Sequence, residues 1–178
     1  MIIAKEKRKN NIAEYILYMW HIEDLLRACN MEFTLVREKL ISGYTFETAI
    51  MQEISDWYRT LIHTMINEKI TVSGHFQFIN KLIADLDKLH HQLLQNTNNL
   101  NYQKYYEAAK PNIELFRAKS NKQSGNDIEI CLTALYSLLL MKLTKKEISP
   151  ETMESMNSFS SMLSILSVYF KKIEEGKL

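Results

Sequence analysis

Four glycines and two prolines among 178 residues constrain this chain more than any other feature. Hairpin turns need residues that tolerate positive φ, and bulges and strand ends draw on the same two residue types. A sheet protein of this length would need many such turns, so the scarcity points to helices. A core is within reach without metals or disulfides, because a chain of this size buries roughly 70% of the surface its unfolded form exposes. Hydrophobic residues at 46% and charged residues at 24% exclude a disordered tail. The expectation is an all-α fold, a single helical domain over residues 1–178.

Apolar spacing and end signals place six or seven helices in a bundle. The first spans about Ile12 to Cys29, with Ile12, Ile16, Met19, Ile22 and Leu26 on one side and Tyr18, Trp20 and Leu25 widening that face. A shorter helix over Met31 to Ser42 is expected to close at Gly43. The third starts at Thr45 as N-cap and runs to about Lys69, with Phe46, Ile50, Ile54, Trp57, Leu61 and Met65 in one stripe. After Ser73 and Gly74, the stripe Ile79, Leu82, Leu86, Leu89, Leu93 marks the fourth, which ends in an Asn-rich loop at 96–101. Pro111 divides Tyr102–Lys119 into two short helices or one kinked helix, and the polar segment 120–126 follows as a loop. Asn126 caps a helix over Asp127–Leu143 that is apolar almost all round and is expected at the centre of the fold. Ser149 and Pro150 open the last helix, which closes near Gly176.

The start of the chain has the basic-then-apolar order of a secretory signal, but Glu14 interrupts the apolar run and no small-residue cleavage site follows. The longest apolar stretch, Cys131–Leu143, contains Thr133, Ser137 and Lys142 and is too short to span a bilayer. Cys29 and Cys131 read as reduced, packed thiols. A soluble, cytoplasmic protein is expected, with no membrane partner.

Chemistry is sparse. Isolated glycines leave no loop for a backbone to approach phosphates, and Ser nucleophile elbows and zinc-type Cys pairs are missing. The Glu-x-x-His pairs of a di-iron bundle are missing too, so no cofactor and no metal are expected. Asp87 and His91, at i and i+4, are the weak metal candidates, and a solvated acid–base pair explains them as well.

Two polar residues intrude on apolar faces. His90 lies close to Leu86 and Leu93, whereas His91 points outward. Glu23 falls between Met19 and Leu26, and a buried carboxylate must find a partner or change its pKa. Arg27, one turn later, is the expected partner. If a pocket exists between helices, Glu23, Arg27, Trp57, Tyr58 and His90 are its candidate lining, and each also has a packing explanation.

Ser160, Ser164 and Ser167 form a seam of small hydroxyls on the last helix, suited to a close helix contact within the chain or between copies. At Lys5–Lys9, four cations against Glu6 give a local +3 in a chain of net charge +1. Without an aromatic platform or a second basic stripe this is a solvated helix start, and nucleic-acid binding is not expected.

Residues 2–28, IIAKEKRKNNIAEYILYMWHIEDLLRA, and residues 129–149, EICLTALYSLLLMKLTKKEIS, resemble an uncharacterised bacterial family classed as a domain of unknown function and typical of Bacteroidetes. The resemblance extends through YQKYYEAAKPNIELFRAKS and the last helix. It implies a compact helical fold, an intracellular bacterial setting and no established activity, and it supplies no catalytic motif. The function expected from the residues is contact with proteins, as a homodimer or with another partner, drawing on nine adaptable methionines. The alternative is a small-molecule binder or enzyme with a pocket near Glu23 and His90.

Overall fold

The computed structural model describes residues 1–96, 99–119 and 125–177. Among them every regular element is helical: α1 (Ile2–Asn10), α2 (Ile12–Ala28), α3 (Phe33–Val36), α4 (Thr48–Asn67), α5 (Gln77–Gln95), α6 (Leu100–Lys119), α7 (Asp127–Leu143) and α8 (Pro150–Glu174), with a π-helical turn at Arg37–Ile41 continuing α3. Eight helices therefore replace the expected six or seven. Residues 97–98 and 120–124 of the two expected loops lie outside the described residues.

The additional helix is α1, which was expected only as a solvated start of α2. Asn11 separates the two because it caps α2, its side chain accepting the Ala13 and Glu14 amides at 3.0 and 3.2 Å. That cap needs an extended backbone, φ −153°, and an extended residue ends the helix before it. Met1 and Ala4 anchor α1 in the core, and Arg8 makes a bidentate ion pair with Glu174 of α8.

The expected start of α4 is also corrected. Helix α4 starts at Thr48 rather than after Thr45; Glu47 precedes it without a side-chain cap, and Phe46 is 48% exposed instead of joining the stripe. Of the two forms expected at Pro111, a single helix is the one present, α6 running through it. Pro111 and Glu107, whose carbonyl loses its partner there, both face solvent, so water can replace the missing amide. Buried Tyr102, Ala109 and Ile113 hold the helix together across that point.

Gly43 does not take the left-handed conformation expected of a helix-closing residue. Asn30, Lys69, Lys145 and Gly176 do, at φ 52°, 58°, 54° and 65°. Each ends a helix with the paired bonds of a Schellman motif, as where the Ile70 amide reaches the Met65 carbonyl and the Lys69 amide that of Ile66. Three non-glycine residues in this role explain how so few glycines suffice.

Buried apolar side chains from Met1 to Leu166 form one cluster. Helix α7 packs against α2, α5, α6 and α8, and α8 packs against α2, α5, α6 and α7. The centre is thus shared by two helices rather than held by α7 alone. Nor is α7 covered along its length: Ile128, Cys131, Leu132 and Ala134 are buried, whereas Leu140 and Leu143 are 39% and 57% exposed. Among the described residues no helix is long and apolar enough to cross a membrane.

Candidate functional site

Glu23 projects from the buried face of α2 and is fully inaccessible. A carboxylate in that position needs donors, and the start of α5 supplies them. Glu23 Oε1 accepts the Phe76 amide at 2.9 Å, and Oε2 accepts Nδ1–H of His75 at 2.6 Å. Phe76 is the N-cap residue of α5 and offers no side-chain cap of its own. The next amide, Gln77, donates to Glu68 at 2.8 Å. Two carboxylates remote from α5 therefore satisfy its opening amides, and the positive end of the helix dipole favours both.

Arg27 is not the partner of Glu23, as proximity along α2 suggested. Its guanidinium binds Asp24 at 2.9 Å and reaches the carbonyls of Ile70 and Gly74, strapping the α4–α5 connection to α2. Gly74 permits that connection: its φ is +97°, and a Cβ would lie 3.2 Å from Ile70 Cγ2. Asp24 also accepts the Tyr136 hydroxyl from α7 at 2.5 Å. Burial, and then the hydrogen bond to Asp24, hold that phenol protonated well above its ordinary range. Trp20 stacks on His75 with centroids 4.4 Å apart and meets Tyr136 edge-on at 5.6 Å.

Trp20, Asp24, His75 and Tyr136 thus belong to the Glu23 network, and the sequence reading missed all four. Two signals were present: Asp24 beside Glu23, and a polar-tipped Tyr136 in the most apolar helix. Chemically, a buried carboxylate on Nδ1 fixes the tautomer of an imidazole. His75 Nε2 has no hydrogen-bond partner among the described residues, and its side chain is 36% exposed.

His90 lies in a second network joining α5, α6 and α7. It is buried, and its Nδ1 is 2.6 Å from the Tyr102 hydroxyl. Nε2 lies 4.0 Å from Asp127 Oδ2, so the neutral ring carries its proton on Nε2 and Nδ1 accepts from Tyr102. Asp127 also accepts from Tyr106 at 2.9 Å and Arg117 at 2.6 Å. Burial lowers the His90 pKa from its ordinary 6.5, against the opposing pull of Asp127. The unfolded chain therefore takes up this proton first as pH falls. Stability from neutral His90 is fully present above pH 6.5 and declines below it, toward the lowered folded value. Urea unfolding of wild type and His90→Gln from pH 8 to pH 5 should show curves separating at pH 8 and converging below 6.5, by at most about 1.4 kcal/mol per pH unit. A constant separation would contradict this role.

The five candidate lining residues do not converge. Glu23 and Arg27 grip the α4–α5 connection, whereas His90 belongs to the other network. Trp57 and Tyr58 meet each other edge-on at 4.9 Å, and Tyr58 neighbours Tyr18, Tyr44 and Cys29. Neither has a ring contact or hydrogen bond to Glu23, Arg27 or His90. Asp87 Oδ1 and His91 Nε2 are 3.7 Å apart, and among the described residues no group of three or more His, Cys, Asp or Glu is arranged to hold a metal ion.

The serine seam is divided between interior and surface. Only Ser167 is buried, where it donates to Asn11 Oδ1 at 2.9 Å; Ser160 and Ser164 face solvent. The start of α2 meets α8 there, the Ala13 amide also reaching Ser167. A lateral cleft of about 280 Å³ lies further back on α8, lined by Thr152, Ser155, Met156 and Phe159 and by Asn112, Leu115, Phe116 and Lys119 of α6. None of the five candidates lines it.

These features define an all-helical protein whose two conspicuous polar networks join helices to one another. The chain belongs to the family described as Domain of unknown function (DUF4924), which matches residues 1–177. Comparison with curated proteins and with solved structures gives no match.

Proposed function

We propose that the chain is a non-enzymatic helical protein acting through protein–protein contacts, as one folded unit in the cytoplasm of a bacterium of the Bacteroidetes type. The α6–α8 cleft is the observation that carries this reading. Leu115, 50% exposed, stands at its edge, and Phe116 meets Phe159 edge-on across the two helices at 6.5 Å. Asn112 bridges the rim, donating to Ser158 and accepting from Ser155, both at 3.1 Å. Apolar walls with a polar rim suit the apolar face of a helix, and Met156 can adapt to what lies against it. Both Glu23 oxygens and His90 Nδ1, by contrast, are already engaged in internal hydrogen bonds.

The dye 1-anilinonaphthalene-8-sulfonate tests the cleft at submicromolar protein. Its fluorescence should rise with wild type and fall severalfold with Leu115→Asp, an exposed position that leaves folding intact. Equal fluorescence from both proteins, or none from either, would remove the reading.

A small-molecule site or enzyme is the second reading, favoured by the open Nε2 of His75 above the buried Glu23 carboxylate. Ligand-observed NMR of a metabolite library should then find binders that His75→Gln abolishes. A library with no such binder sets it aside.

A further inference from the structure

We propose that the occupant of the α6–α8 cleft is the C-terminal end of α7 from a second copy of this chain, docked about a two-fold axis. This rests on the reading of the cleft as a contact surface. The α7 end supplies the right chemistry: Leu140 and Leu143, spaced i and i+3, stand exposed on one helix and lack cover. Lys142, Lys145 and Lys146 surround them. Across the connection 144–149 the charge reverses, with Glu147, Glu151 and Glu154 exposed where α8 begins. Glu151 and Glu154 sit next to the lining residues Thr152 and Ser155, while Lys119 is the only charged side chain in the lining itself.

None of these six charges forms an ion pair among the described residues. Each copy thus carries a basic band and an acidic band side by side, with exposed leucines in the first and an apolar cleft beside the second. A two-fold axis between the bands sets the basic band of each copy on the acidic band of the other, twice. Complementary charge fixes orientation, and the leucines entering the clefts supply apolar burial.

Size-exclusion chromatography with light scattering at about 100 µM, a range in which micromolar complexes are populated, tests the arrangement. Wild type should be a dimer that weakens in 1 M salt. The triple variant Lys142→Glu, Lys145→Glu, Lys146→Glu should be monomeric, and so should Glu147→Lys, Glu151→Lys, Glu154→Lys. Mixing the two should restore a dimer, because each copy then presents one sign only. All six positions are exposed, so circular dichroism should stay unchanged. Wild type that is monomeric, triple variants that dimerise as wild type does, or a mixture that stays monomeric would each overturn the proposal. If wild type is monomeric but its cleft still binds the dye, the second copy is excluded and the contact surface stands; if the dye does not bind either, both fall.

Discussion

Glu23→Ala is expected to lower the unfolding free energy by about 3–5 kcal/mol, because it strands donors around a fully buried site. The Phe76 amide and His75 Nδ1 lose their acceptor together, and the truncation leaves a cavity between α2 and the start of α5. For a chain of this length that amounts to a fall in Tm of roughly 10 °C. Glu23→Gln is milder, about 1–2 kcal/mol, since the amide oxygen still accepts from Phe76 but the charge at the helix N-terminus is gone. Thermal and urea unfolding followed by circular dichroism measure both. A Glu23→Ala protein within about 1 kcal/mol of wild type would show that the carboxylate is not the cap of α5.

Tyr102→Ala should cost a similar amount, about 3–5 kcal/mol, for a different reason. Its ring is fully buried where four helices meet: it packs edge-on against His90 of α5 and Tyr169 of α8, and Cys131 of α7 lies close by. Tyr102→Phe keeps the packing and removes only the hydroxyl that His90 Nδ1 accepts, so about 1–2 kcal/mol is expected. Burial also raises the Tyr102 pKa above its ordinary 10.0. The unfolded chain loses this proton first as pH rises, so stability held by the protonated phenol is present below pH 10 and lost above it. Tyr102→Phe should flatten that alkaline decline; if both proteins decline equally, other groups are responsible.

Much of the fold could be read locally. Asn126, Ser149 and Pro150 mark helix starts through bonds made within one turn, and α7 and α8 begin where those residues place them. Where a local signal had two uses, the reading failed. Asn11 caps α2 and thereby ends α1, while Thr45 resembles a cap but the helix starts later. Pro111 stays inside α6 because its cost, about 3 kcal/mol in a helix interior, falls on a solvent-facing turn while buried neighbours hold the rest. The polar networks were half legible. Apolar spacing singled out Glu23 and His90, both of which are buried, but not their partners. His75 lies 52 residues from Glu23, and Arg27 turned from its i−4 neighbour to backbone carbonyls of a distant loop. No period along a helix records which loop another helix will meet.

The leucines that make α7 look uniformly buried illustrate the same limit. Their spacing says only that they are apolar, and at Leu140 and Leu143 the described residues leave them uncovered. On the proposal made above, that exposure and the α6–α8 cleft form the contact surface, distinct from the buried Glu23.

Amide hydrogen exchange compared between dilute and concentrated protein tests that placement most directly. At high concentration, exchange should slow in residues 112–119, 139–143 and 150–159, with residues 20–27 and 70–76 unchanged. Identical exchange in the first three segments, or protection confined to 70–76, would contradict it.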